Sequence, residues 1–286
     1  MNRAPHCAMD LNGITEIARP RSRAELPAWH SGDAWLAGGT WLFSEPQAKI
    51  SRLVDIADLG WPALEVTEQG LRIAATCKIA ELDGMAFPAS WTASPLVNQC
   101  CRSFLASFKI WNLATVGGNL CMALPAGPMI SLTAALDGVC TIWAPDGYER
   151  HVAVTDFVLA PQRSALQPGE LLRAIDLPIA ALRRRTAFRQ ISLSPLGRSG
   201  ALLIGTRSPD DGSVALTVTA STPRPIQLAF ARMPSRTALH DALEAAIPSE
   251  FYYNDVHGTP PWRRQVTLGF AEDIRIELGG NGASGA

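Results

Sequence analysis

Two adjacent-glycine segments, Leu36-Ala37-Gly38-Gly39-Thr40 and Ala114-Thr115-Val116-Gly117-Gly118-Asn119-Leu120, most constrain how this chain folds. With no Cβ, paired glycines let a backbone come very close to another object. Thr40, Thr115 and Asn119 flank them with side chains that donate or accept hydrogen bonds. Consecutive backbone N–H groups in such a turn also make a seat for phosphate oxygens. One glycine pair after a strand is more often a structural turn than a site. Two pairs of one type raise the functional reading modestly, and they predict two turns holding one cofactor between them.

The rest of the chain limits what those turns can serve. Its 286 residues suffice for a full core in two or three modules. A net charge of -1 gives no electrostatic case for nucleic-acid or membrane binding. Residues 1–10 hold one arginine and no apolar core, so no signal peptide is expected. No apolar run approaches the roughly 20 residues needed to span a bilayer. The six cysteines form no C-x-x-C, lie near no histidine pair and are read as reduced, mostly buried thiols. A cytoplasmic location is the expectation that follows.

Along the chain, a short strand near Ile14 and Ile17 precedes an expected helix over 22–30, and buried strands end at Leu36 and Ile56. Trp61-Pro62 marks a break, which predicts modules at 1–60 and 61–178. Alternation on either side of Glu68-Gln69-Gly70 predicts a hairpin. Apolar residues from Leu96 to Phe108 recur with a helical period. An apolar run over 129–136 is placed to lean on the second glycine pair. Pro145-Asp146-Gly147 has turn chemistry between two strands. A third module over 179–280 opens with three short strands at 187–193, 201–206 and 214–219, then helices at 237–247 and 262–278. Residues 281–286 read as a disordered tail. Strands and helices mix without strict alternation, which predicts an α+β fold.

Several chemistries are excluded. There is no G-x-G-x-x-G after a strand and no G-x-x-x-x-G-K-[ST], so the dinucleotide-fold and P-loop readings fail. No G-x-S-x-G is present, and none of the five histidines has metal-ligand spacing. The Arg183-Arg184-Arg185 run reads as a solvated face. No catalytic side chain and no metal ligand is therefore named.

The ordered set of segments resembles the flavin-binding subunit of the molybdenum hydroxylases, a group that includes the medium subunit of carbon monoxide dehydrogenase and the central FAD domain of xanthine dehydrogenase. The resemblance runs through Leu36-Ala37-Gly38-Gly39-Thr40, Leu53-Val54-Asp55-Ile56 and Asn112-Leu113-Ala114-Thr115-Val116-Gly117-Gly118-Asn119. It continues in Leu166-Gln167-Pro168-Gly169-Glu170-Leu171-Leu172 and in Asp255-Val256-His257. It implies two small subdomains clamping FAD, the vanillyl-alcohol-oxidase type of fold, followed by a C-terminal domain with a three-stranded antiparallel sheet and helices. By the same resemblance, Leu36, Ala37, Gly38, Gly39, Thr40 and Trp41 match one pyrophosphate-binding segment. Ala114, Thr115, Gly117, Gly118 and Asn119 match the other. Leu166 matches a position beside the isoalloxazine ring, and Arg189 roughly matches a basic residue near it.

The chain also departs from the family's pattern. An acidic or small polar residue usually stands where Trp41 does, and an arginine commonly stands at Trp111. Leu124-Pro125-Ala126-Gly127-Pro128 replaces a segment that usually closes on an aspartate expected to hold sugar or ribityl hydroxyls. No four-cysteine insertion is present, so no iron–sulfur cluster is expected in this chain.

The implied activity is that of an FAD-dependent oxidoreductase subunit. It would pass electrons from a 2Fe-2S small subunit, beside a molybdenum-cofactor-binding large subunit, through FAD to NAD or another acceptor. Two alternatives stay open at this point: a stand-alone flavin oxidoreductase, and a flavin-poor scaffold subunit.

Overall fold

The structure, a computed structural model, describes Leu11 and residues 13–280. The readings made for residues 1–10, Cys7 among them, and for residues 281–286 lie outside the described residues. Three larger sheets and one two-stranded pair carry the described residues. The first is parallel and three-stranded: β1 (Glu16–Ala18), β2 (Asp33–Leu36) and β3 (Arg52–Asp55), with β3 central. Arg52 fastens it from within, donating to both Asp33 carboxylate oxygens at 2.9 and 2.6 Å.

The second sheet is antiparallel, with strand order β4-β5-β10-β6-β7. Its members are β4 (Leu64–Thr67), β5 (Gly70–Ala74), β6 (Val139–Trp143), β7 (Glu149–Ala153) and β10 (Leu171–Pro178). A two-stranded pair, β8 (Val158–Ala160) and β9 (Arg163–Ser164), precedes the central β10. Helices cover one face: α1 (Ile79–Asp83), α2 (Ser94–Arg102), α3 (Phe108–Trp111), α4 (Val116–Met122) and α5 (Pro128–Ala135), with the short α6 (Val154–Phe157) and α7 (Ile179–Leu182) beside them. All eight residues of α5 are buried, the position an all-round apolar helix must take. Gly127 starts it and Pro128 occupies its first turn, where a missing N–H costs nothing.

The third sheet is antiparallel: β11 (Arg185–Ile191), β12 (Ala201–Arg207), β13 (Val214–Thr219) and β14 (Ile226–Phe230). Leu202 and Ile204 of β12 join the core around α5, whereas Leu203 faces a second core with α8 (Arg236–Ala246) and α9 (Pro260–Gly279). The continuous run Ala201-Leu202-Leu203-Ile204 is thus explained by burial on both faces. Arg263 of α9, 1% exposed, donates to the carbonyls of Gly258, Gly200 and Ala220 and pairs with Asp255.

Three local expectations are corrected. Residues 22–30 form no α-helix, only a 3-10 turn at Arg23–Glu25, because Pro27 keeps Leu26 extended. The helix expected over 96–108 ends at Arg102: Ser103 Oγ turns to Gln99 O and to Gln190 Oε1, at 2.8 and 3.0 Å, and Phe108 is 74% exposed. The C-terminal sheet has four strands rather than three, the addition being β14.

Candidate functional site

Between the first and second sheets lies a cavity of about 310 Å³. Trp29, Ala34, Trp35, Ala37 and Ile56 wall it on one side, and Ala75, Gly117, Gly118, Cys121, Leu166, Leu171 and Leu172 on the other. The indoles of Trp29 and Trp35 lie 4.7 Å apart with their planes tilted by 32°. An apolar space of this size, at the low end of the roughly 300–1,000 Å³ of ligand sites, suits one flat ring system better than a whole dinucleotide. Asp33 also borders the cavity, but its carboxylate is held by Arg52, which keeps it below the usual carboxylate range.

The two glycine segments meet directly. A Cβ on Gly38 would fall on the Leu113 carbonyl, and its next neighbour would be Ala114 Cα at 3.3 Å. Gly39 has φ +67°, a conformation few other residues adopt, and its missing Cβ leaves room for the Phe43 ring. Leu36 ends β2, with its carbonyl accepting from Ile56 N at 2.9 Å. The Trp41 carbonyl accepts from Ser44 N at 2.9 Å, closing a tight chain reversal. Among the described residues, no intramolecular acceptor meets the backbone N–H groups of Gly38, Gly39, Thr40 or Trp41.

The second segment behaves differently, and here an expectation is corrected. Residues 115–119 are not a turn but the start of α4, with Thr115 as its N-cap. Its amides are already used: Val116 N donates to Cys77 O (2.9 Å), Gly117 N to Ala75 O (3.0 Å), Gly118 N to Thr115 Oγ1 (3.0 Å) and Asn119 N to Thr115 O (3.0 Å). What this segment gives the cavity is surface without side chains. Gly117 packs so closely on Ala75 that a Cβ would lie 2.6 Å from Ala75 Cα. Asn119 turns its Oδ1 to Met129 N at 3.1 Å and so caps α5. Ala114 is buried and its carbonyl accepts from Ile79 N at 3.0 Å.

Of the residues singled out from the sequence, Ala37, Gly117, Gly118 and Leu166 line the cavity, whereas Gly38 to Trp41 follow Ala37 in the chain without lining it. Arg189 is placed elsewhere. It pairs with Glu277 of α9 at 2.7 Å and lines a separate depression with Thr92, Gln99 and Arg185. The sequence reading missed Trp29, Trp35, Ala75, Leu171 and Leu172 as wall residues. The one signal for them was two tryptophans close before the first glycine pair. Two departures from the family pattern have structural explanations here: Trp111 Nε1 donates to Phe104 O at 2.9 Å, and Pro128 opens the buried α5.

Amides without an acceptor among the described residues on one side, a wall that includes the bare backbone of Gly117 and Gly118 on the other and an apolar ring-sized space between them define an α+β protein that fits a phosphate-bearing flat cofactor. Comparison with known proteins agrees with that class. Residues 10–180 match the family described as FAD binding domain in molybdopterin dehydrogenase. The carbon monoxide dehydrogenase medium chain of Afipia carboxidovorans is 26% identical over 74% of this chain and 77% of its own. The caffeine dehydrogenase subunit beta of Pseudomonas sp. (strain CBB1) is 28% identical over 73% and 74%. In fold, a chain of carbon monoxide dehydrogenase from Oligotropha carboxidovorans superposes with a TM-score of 0.77 at 22% identity, covering 92% of this chain and 96% of the other. The chain belongs to the FAD-binding family of the molybdopterin dehydrogenases, and FAD is its cofactor.

Proposed function

We propose that this chain is the flavin-carrying electron-transfer subunit of a molybdenum-containing hydroxylase. It would take electrons from a 2Fe-2S partner and pass them through FAD to NAD or another acceptor. The observation that carries the reading is the row of N–H groups from Gly38 to Trp41, which meet no acceptor among the described residues, next to the cavity-lining Ala37. Buried or half-buried amides without acceptors are costly, and an anionic oxygen repays that cost directly. In this reading Ala37 to Trp41 hold the pyrophosphate, with the Thr40 hydroxyl as a further donor. Gly117 and Gly118 form the opposing wall, and Leu166 packs on the isoalloxazine. Thr115 and Asn119 act behind that wall, one capping α4 and the other capping α5.

The flavin, when bound, supplies the redox chemistry; the protein supplies orientation and shielding. Trp29 and Trp35 keep bulk water from one side of the cavity, and Leu166, Leu171 and Leu172 from the other. Large- and small-subunit partners are supported by the multi-subunit character of the similar proteins, which are named as a medium chain and a subunit beta.

The test is direct. The purified chain titrated with FAD should develop the visible bands of a bound flavin, and its partners should co-purify with molybdenum and iron. A chain that stays colourless in excess FAD would overturn the reading. Reoxidation of the reduced complex by NAD, compared with quinones, identifies the acceptor class.

A further inference from the structure

Leu166 enters the cavity from a loop between β9 and β10 that has no strand partner of its own. The chain on either side of it is nevertheless fixed, by two residues outside the cavity wall. Arg150 of β7 donates from Nη2 to the Ala165 carbonyl at 2.8 Å. The same guanidinium holds the Glu170 carboxylate at two points, Nε to Oε1 at 2.7 Å and Nη2 to Oε2 at 2.6 Å. Glu170 Oε2 in turn accepts the Gln167 N–H at 2.7 Å. The residue before Leu166 is therefore pinned by one member of the pair, and the residue after it by the other.

The pair also reaches the opposite wall. The Glu170 carbonyl accepts Trp35 Nε1 at 2.8 Å, and Trp35 lies on β2 just before the first glycine pair. Gly169, with φ +80°, brings this loop against Trp29, since a Cβ there would lie 3.0 Å from Trp29 Cβ. Glu170 is 7% exposed, and its carboxylate is met by the Arg150 guanidinium and by the Gln167 N–H next to Leu166. A well-packed apolar pair of equal volume would stabilise such a spot about as well as a half-buried ion pair. What the charged pair adds is fixed geometry.

We infer that Arg150 and Glu170 are positioning residues for the flavin, setting how far Leu166 reaches into the cavity and how the two walls face each other. The inference rests on the FAD reading proposed above. It concerns residues that do not touch the cofactor, so it needs readouts beyond activity.

The experiment uses the full chain and three variants, Arg150→Met, Arg150→Lys and the near-isosteric Glu170→Gln. In the flavin-free protein, amide exchange at Gln167 should accelerate in Arg150→Met and Glu170→Gln. FAD should then bind roughly tenfold more weakly to Arg150→Met, the effect of leaving one buried acceptor unmet. The midpoint potential and visible band shape of the bound flavin should shift, with partial recovery in Arg150→Lys. Should Arg150→Met fail to fold, Glu170→Gln carries the test. Wild-type binding of FAD with unchanged affinity, potential and spectrum in the variants would overturn this inference alone. A wild-type chain that takes up no FAD would overturn both it and the functional reading.

Discussion

Gly38 and Leu113 meet backbone to backbone, so that the first glycine pair is seated on the strand of chain leading into the second. Their contact, rather than either pair alone, fixes the spacing of the cleft. In Gly38→Ala the new methyl meets a carbonyl that cannot swing away, because Ala114 and its neighbours are held by α1 and α3. The expected loss is about 1–3 kcal/mol of stability, the range for overpacking, together with weaker FAD binding. Chemical denaturation and FAD titration check both.

Gly117 and Gly118 should respond differently to a methyl group. Gly117 has backbone against it, whereas a Cβ on Gly118 would meet only the Thr115 hydroxyl, at 2.9 Å. Gly117→Ala should lower the melting temperature of the flavin-free chain. Gly118→Ala should leave it nearly unchanged, since the gain in helix propensity, roughly 1 kcal/mol, offsets a displaced cap. Equal destabilisation by the two would contradict the packing described here.

Thr115→Ala removes the cap of α4 and leaves the Gly118 amide without its partner. The expected cost is about 1–2 kcal/mol, and Thr115→Ser should recover most of it. Urea unfolding of the two variants beside wild type decides the point.

Two carboxylates link the stability of the cleft to pH. Hydrogen bonding to Arg52 lowers the Asp33 pKa, and hydrogen bonding to Arg150 lowers that of Glu170. Groups with depressed folded values stabilise fully above their ordinary range and lose that contribution as pH falls through the folded value. Thermal melting should therefore be level near neutrality and decline in acid. Asp33→Asn should melt lower than wild type at neutral pH and converge with it at the acid end.

Arg263→Met leaves the carbonyls of Gly258, Gly200 and Ala220 buried without their donor. The expected cost is about 3–5 kcal/mol, the scale for breaking a buried charged network. Loss of the C-terminal sheet's cooperative unfolding in calorimetry would show it.

Local pattern made much of this fold legible. Alternation around Gly70 marked the β4–β5 hairpin, and the apolar run beginning at Met129 marked α5. The pairing of the two glycine segments was legible as a guess about a shared ligand, and the two segments do touch. Their difference was not legible, because it depends on which carbonyl each amide meets. Val116 N finds Cys77 O and Gly117 N finds Ala75 O only once β5 and α1 are in place. The helical state of residues 116–122 was hidden for the same reason: two glycines disfavour a helix by roughly 1 kcal/mol each, and close packing on Ala75 overrides that preference. Trp29 and Trp35 became wall residues through the Gly169 loop, a contact across distant parts of the chain that no local pattern records.

Arg263 also has a consequence for timing. Its guanidinium comes from α9, yet the carbonyls it satisfies flank β12 and β13, which are synthesised earlier. Until α9 arrives, the Gly200 and Ala220 carbonyls lack their Arg263 donor, and Leu203, Leu216 and Val218 lack the part of their core that Ala271, Ile274 and Leu278 supply. Such late, long-range closure is slow and leaves apolar strand surface open in the meantime. During synthesis the nascent sheet thus keeps part of its apolar face open to misassociation, and a chaperone would shield it until its last helix docks.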